Sequence, residues 1–232
     1  MACEAIAVVG ESGTGKSTSL RNLDPKSTFI ISTTGKPLPI KSWKKLYKPI
    51  QTSNNKASGN YYVSSSYAKI LQMLKVIDKL MPEIKQVVID DFQYMMSYEF
   101  VDRATETGFT KFSELAQHAM AILRYAETMR DSCKMIFLTH SENEGTEINP
   151  KYTIKSLGKL LKEKVTLEGL FTYVFFTKVL EPETEGGPMR YKFLTNTDGE
   201  CCAKTPMGIF SDLLIDNDLD LVIKAIDKYN NE

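Results

Sequence analysis

Short apolar runs, each closed by glycine or polar residues, recur along the chain and alternate with segments of helical spacing. Residues 5 to 9, AIAVV, carry the pattern of a buried strand bounded by Gly10. A short helix is expected from Lys16 to about Asn22, ended by Asp24 and Pro25. STFIIS (27 to 32) reads as a second strand, rich in β-branched and aromatic residues. SYAKILQMLKVIDKLM (66 to 81) puts Ile70, Leu74 and Ile77 on one helical stripe and is closed by Pro82. KQVVIDDF is the next strand, apolar until it meets two carboxylates. Helical segments from Tyr94 to Ala104 and Lys111 to Arg130 then lead to KMIFLTHSE, a further buried strand with a polar end. Strands alternating with helices predict a mostly parallel sheet covered on both faces, with ligands at the carboxyl ends of its strands.

Two regions depart from that rhythm. Residues 33 to 65 hold Pro37, Pro39, Pro49, Gly59 and many polar side chains, which predicts a long excursion with little regular structure. In the last third, LFTYVFFTKVL and RYKFLTNT are strand-like and the turn-rich EPETEGGP joins them, so a β-hairpin is expected. DNDLDLVIKAIDKY predicts a closing helix with Asp216 or Asn217 as its N-cap. The expected organisation is one domain over 1–232, with 33–65 as a lysine-rich insertion and 151–232 as a β-rich C-terminal part of it.

Composition narrows the class without naming a function. A chain of 232 residues with 42% hydrophobic and 25% charged content is of ordinary globular type. No stretch approaches the roughly eighteen apolar residues of a membrane span, and the first residues do not read as a signal region, so a cytoplasmic protein with no membrane partner is expected. The cysteines (Cys3, Cys133, Cys201, Cys202) and the histidines (His118, His140) show no metal-binding spacing, and reduced structural thiols are expected. The net charge of zero hides a segregation: nine lysines and no carboxylate lie between Pro25 and Ile77, while eleven acidic residues face five basic ones from Glu181 to Glu232. Such asymmetry marks either a surface that meets a polyanion or a solvated face neutralised by neighbours in space.

The chemistry is concentrated in GESGTGKS, residues 10 to 17, which matches G-x-x-x-x-G-K-[ST] between a predicted strand and a predicted helix. In such a loop the backbone N–H groups turn inward onto phosphate oxygens, so Gly10, Glu11, Ser12, Gly13, Thr14, Gly15, Lys16, Ser17 and Thr18 are the expected nucleotide-binding residues. Lys16 would neutralise the β and γ phosphates of ATP, and the Ser17 hydroxyl would ligand Mg2+. VVIDD supplies Asp90 as the metal-side carboxylate. Its neighbour Asp91 either orients and deprotonates a water facing the γ phosphate or caps the helix that follows. Thr139 and His140, ending MIFLTH, stand where a side chain could sense the γ phosphate or serve as ordinary strand-end polar residues.

Together GESGTGKS, TGKPLP, VVIDD, IFLTHSE, GKLLKEKVTLEGLFTYVFFTKV, AKTPMGIF and IDNDL resemble the phage AAA-type, RecA-like P-loop ATPases, over roughly residues 5 to 229. Some of these are described as single-strand annealing or recombination proteins. The resemblance implies an α/β P-loop NTPase with a RecA-like core, magnesium-dependent ATP hydrolysis, homo-oligomerisation, single-stranded DNA as a partner, and contact with replication or recombination proteins. It also implies Asp90 as metal support and Thr139 or His140 as sensor. One position departs: RecA-like recombinases usually end the second strand in a catalytic glutamate, where ISTTG offers no carboxylate, so Asp91 takes the role or hydrolysis is weak.

DNA has its own candidate in KPLPIKSWKKLYK. Lys36, Lys41, Lys44, Lys45 and Lys48 interleave with Trp43 and Tyr47, and lysines on phosphates with aromatic rings stacked on unpaired bases grip single strands at about 1–3 kcal/mol per stacked base. Trp43 could equally anchor the loop to the core. Lys159, Lys178 and Arg190 are candidates to reach a neighbouring subunit's phosphates. A nucleoside or small-molecule kinase is the alternative enzyme, disfavoured because the arginines are scattered; a nucleotide-dependent switch with little hydrolysis is the other alternative.

Overall fold

The computed structural model describes residues 3–157 and 164–231. In chain order the strands are β1 Glu4–Val9, β2 Thr28–Ser32, β3 Gln51–Ser53, β4 Lys56–Ser58, β5 Tyr61–Val63, β6 Gln86–Asp90, β7 Lys134–Thr139, β8 Ser141–Asn143, β9 Tyr152–Ile154, β10 Tyr173–Leu180, β11 Arg190–Leu194 and β12 Leu214–Asp216. Among the described residues the α-helices are α1 Trp43–Leu46, α2 Tyr67–Leu80, α3 Gln93–Asp102, α4 Thr110–Leu123 and α5 Leu219–Asn231. Eight strands form one sheet in the order β12-β11-β10-β1-β7-β6-β2-β5. Pairings from β10 through β5 are parallel, and β11 and β12 add an antiparallel edge. This is the mixed, mostly parallel sheet flanked by helices that the strand-helix alternation predicts.

Period-two alternation sends neighbouring residues of each strand to opposite layers. Phe29, Ile31, Val87, Ile89 and Phe137 pack with α2, α3 and α4 through Ile70, Leu74, Met95 and Ile122. Ile30, Val88, Ile136 and Phe175 face the other way, onto Leu20, Tyr47 and the Leu219, Val222, Ile223 and Ile226 stripe of α5. Both faces are therefore dry, which is why the strands read as continuous apolar runs.

The short helix expected after the glycine loop is present as a 3-10 helix, Ser17–Asn22. Three details differ from the sequence-based expectation. The long excursion contains α1, the exposed β3–β4 hairpin and β5, and β5 extends the main sheet by pairing with β2. The helix expected to reach Arg130 ends at Leu123 and continues as a 3-10 turn, Arg124–Glu127. The closing helix is capped by Asp218, whose Oδ1 accepts the Asp220 N–H at 3.0 Å, one or two residues beyond the expected Asp216 or Asn217. The expected hairpin between β10 and β11 is present and antiparallel.

Arg130 shows how the chain closes α2. Its guanidinium donates to the carbonyls of Ile77 (3.1 Å), Asp78 (2.9 Å) and Met81 (2.9 Å), and also to that of Ile84. The Ile77 and Met81 carbonyls also accept the N–H groups of Met81 and Ile84, whereas Asp78, four residues before Pro82, meets no N–H at the helix end and depends on the guanidinium. Replacing Arg130 with Met keeps the stem and removes all these donors. The expected outcome is a loss of about 2–4 kcal/mol in urea unfolding, since the carbonyls of Asp78 and Ile84 lose their side-chain donor and the half-buried Asp78 carboxylate loses its ion pair. A loss below about 1 kcal/mol would mean that water satisfies them instead.

Candidate functional site

The loop between β1 and the Ser17–Asn22 turn curls around its own lysine. The buried Lys16 Nζ donates to the carbonyls of Gly10 (2.8 Å) and Glu11 (2.7 Å), which leaves one of its three protons for another acceptor. Two glycines are demanded by space. A Cβ on Gly10 would lie 1.8 Å from Thr177 Oγ1 on β10. Gly15 has φ +91°, and a Cβ there would press on Tyr191 and Asn217. Across the loop, the Ser17 hydroxyl donates to Asp90 Oδ1 at 2.9 Å.

The cleft at this point has a volume of about 550 Å³. Its floor is the loop from Ser12 to Thr18; Asp90, Asp91 and His140 form one wall, Lys36, Pro37 and Pro39 another, and Tyr191 closes the far side. Apart from Tyr191, which stands near the start of the antiparallel β11, the walls are carboxyl ends of strands or the loops after them, because parallel strands bring these ends together.

The electrostatics of the cleft are costly. Burial, with Asp91 alongside, pushes the Asp90 carboxyl up to about 6 against the Ser17 hydrogen bond that favours its charge. Burial also pulls Lys16 down to about 8, although Asp91, Asp90 and Glu11 oppose this. Asp91 goes the other way. Burial resists its charge, yet His140, Lys36 and Thr34 together hold its carboxyl below the ordinary value. Its Oδ1 lies 3.6 Å from His140 Nε2, and its Oδ2 lies 3.6 Å from Lys36 Nζ and accepts the Thr34 hydroxyl at 3.2 Å. The Asp91 backbone sits at φ +61°, a left-handed conformation that only Asn, Asp and Gly adopt readily. No side chain caps α3, so Asp91 is turned into the cleft rather than onto the helix end.

Side chains that sequence reasoning passed over hold this arrangement. The buried Gln93 accepts from the Thr139 hydroxyl (3.3 Å) and the His140 N–H (3.2 Å), tying the end of β7 to α3. Tyr94 lies under Lys36, 5.1 Å from Nζ to ring centroid, and edge-on to His140 at 5.9 Å. Thr33 donates to the carbonyls of Asp90 and Asp91 (3.1 and 2.7 Å), joining the end of β2 to the carboxylate pair. The only sequence signal for these residues was their position after a strand end.

Other expected site residues fall elsewhere. Thr139 is buried against Gln93 and does not line the cleft, whereas His140 does. Thr14 turns to the opposite side, where its hydroxyl meets Glu11 O (2.8 Å) and Thr177 Oγ1 (2.6 Å). The Glu11 side chain is exposed outside the cleft lining. Lys36 belongs to the cleft, apart from the exposed Lys41, Lys44, Lys45 and Lys48. Trp43 is half-buried on Tyr61, with ring centroids 5.2 Å apart, in the anchoring role rather than as a free stacking platform. Lys178 pairs with Asp198 (2.7 Å) and Arg190 with Glu183 (2.7 Å), so neither is a free cation. Lys159 lies outside the described residues.

The donor set suits a nucleotide carrying magnesium. A carboxylate paired with a hydroxyl offers hard oxygen ligands, and Lys16 retains a donor beside them. Among the described residues no group of three or more His, Cys, Asp or Glu side chains could hold a metal alone. The remaining ligands would have to be phosphate oxygens and water.

No family model matches the chain, and no curated protein matches it in sequence. Among solved structures, a genome packaging NTPase from Sulfolobus turreted icosahedral virus 2, in complex with ATP-gammaS, is similar over 78% of this chain and 77% of that one. The TM-score is 0.41 and the sequence identity 14%, a likeness too slight to carry an argument about what this chain does.

Proposed function

We propose that this chain is a magnesium-dependent ATPase of phage type that acts on single-stranded DNA in recombination, annealing or replication, as an oligomer of itself. The observation that carries the ATPase reading is the Ser17–Asp90 hydrogen bond beside Lys16, with Asp91 adjacent at the strand tip. Ser17 and Asp90 would hold magnesium, which neutralises phosphate charge when bound. Lys16 would give its free donor to the β and γ phosphates, and Asp91 would orient the attacking water and accept its proton. The exposed Lys41, Lys44, Lys45 and Lys48 support the DNA reading, together with the lysine-only composition of the segment. The same lack of clustered arginine counts against a kinase: none of the five arginines lines the cleft. The second reading, a switch that binds ATP and hardly hydrolyses it, is favoured by one observation: three partners already hold the Asp91 carboxylate.

ATP turnover measured with and without single-stranded DNA separates these readings. Lys16→Ala is expected to abolish nucleotide binding and turnover together. Asp91→Asn, which keeps the left-handed backbone accessible, should bind ATP normally and lose roughly 10²- to 10⁴-fold in turnover. Wild-type turnover that is negligible with DNA present would establish the switch reading instead.

Asp90→Asn is expected to trade function for stability. Folded Asp90 holds its proton more tightly than an unfolded aspartate, with a pKa of about 6 against 3.8, so its ionisation costs stability as pH rises through that window. Asparagine removes the cost, and without nucleotide or magnesium the variant should gain roughly 1–3 kcal/mol at neutral pH. The gain should vanish below about pH 4, and magnesium-dependent turnover should be lost. Equal stability of the two proteins at pH 5 and 7.5 would contradict the assigned burial cost.

For DNA, Lys44→Gln combined with Lys45→Gln should weaken binding and flatten the dependence of log affinity on log salt by about 1.4, the value for two phosphate contacts on a single strand. An unchanged slope would move the DNA site elsewhere on the molecule.

A further inference from the structure

We propose that Lys36 is a second cationic ligand of the terminal phosphate, and that it lets the cleft tell a nucleoside triphosphate from a diphosphate. This rests on reading the cleft as a nucleotide site. Lys36 follows the turn after β2, where Gly35 has φ +68° and donates its N–H to Ser32 Oγ at 3.0 Å. That turn sends the chain back over the cleft instead of away from it. Pro37 and Pro39 then line the same wall, and between them Leu38 is buried in the core, so the backbone on the far side of Lys36 is anchored.

The side chain is held loosely at its tip. Its exposure is 65%, its ammonium stands 3.6 Å from Asp91 Oδ2, and its nearest other partner is the face of Tyr94. With the lysine tip largely in solvent and the separation beyond hydrogen-bond distance, this pair is weak. A terminal phosphate, with more charge and more acceptor oxygens than one carboxylate, is the stronger partner for the same ammonium. Lys16 cannot meet that demand alone, since two of its donors are committed to Gly10 and Glu11. Among the cleft-lining side chains Lys36 is the only other lysine, and no arginine is present.

The contact also links substrate to the base. A terminal phosphate competes with Asp91 for the Lys36 ammonium, and where it draws Lys36 away Asp91 keeps His140 and Thr34. A diphosphate lacks the group that draws Lys36 away, so the pair would persist with the product.

The test compares the binding of ATPγS and ADP to the full chain, with magnesium, for wild type, Lys36→Gln and Lys36→Arg. Lys36→Gln should lose about tenfold or more in affinity for ATPγS and stay within about twofold of wild type for ADP, and Lys36→Arg should recover most of the loss. Unchanged ADP affinity also reports an intact fold. Equal losses for both nucleotides, or no loss for either, would overturn the assignment. Affinity for single-stranded DNA without nucleotide should be the same in Lys36→Gln and wild type, and a drop there with ATPγS binding intact would make Lys36 a DNA residue instead. A wild type that binds neither nucleotide, or a Lys16→Ala variant that binds both, would overturn the nucleotide reading of the cleft itself and Lys36's role with it.

Discussion

The cleft depends on one hydrogen bond that crosses the sheet. Ser17 lies just beyond β1 and Asp90 ends β6, two strands that are not neighbours, because β7 runs between them. For the hydroxyl to meet the carboxylate, β1, β7 and β6 must all end at the same level. Parallel registers that pair Val9 with Thr139 and Ile89 with Phe137 achieve this. A slip of one residue between β6 and β7 would turn Asp90 to the other face of the sheet, and one between β1 and β7 would shift the loop that carries Ser17; either would break the contact. The apolar packing on both faces therefore does more than stabilise the fold: it sets the register on which the site relies.

That precision has an electrostatic cost. Asp90 and Lys16 are both buried, and burial moves each toward its neutral form, while Asp91 stays charged because three groups surround it. Asp91 also sits in a strained backbone conformation. Strain and desolvation gathered at one place in an otherwise well-packed sheet are the pattern expected where binding or catalysis, rather than folding, has selected the residues. The strand-end threonines carry the support. Thr33 and Thr34 tie β2 to the carbonyls and side chain of the carboxylate pair, so a strand tip without a carboxylate still shapes the acidic centre next to it.

How much of this the sequence revealed follows from how local each signal is. GESGTGKS carries its conformation in its own glycines, and VVIDD announces a buried strand ending in acid, so both could be read from a few adjacent residues. β10 and β11 could be read for the same reason, since a turn joins them directly. β5 could not: three residues, YYV, become a strand only because β2 offers them a free edge. Gln93, Tyr94 and Arg130 act through partners that lie far away in sequence or in elements whose packing is set by the whole sheet. Composition groups Lys36 with the other lysines, and only the turn at Gly35 separates it from them.

The same turn bears on how a nucleotide could be felt at the lysine surface. Beyond Lys36 the chain is pinned at Leu38, at the fully buried ring of Tyr47 and at Asn60. Asn60 accepts the Lys48 N–H at 2.7 Å and donates to the carbonyls of Pro25 (2.7 Å) and Leu46 (3.1 Å). Lys41, Lys44 and Lys45 lie between the first two of these anchors, on the stretch that includes α1. A displacement at Lys36 therefore meets a fixed point at Leu38 before it reaches any exposed lysine. Along this stretch the lysine surface feels what occupies the cleft only where Leu38 shifts in its pocket. A second connection runs through the sheet edge, where β5 pairs with β2 and leads back to Asn60 and Lys48.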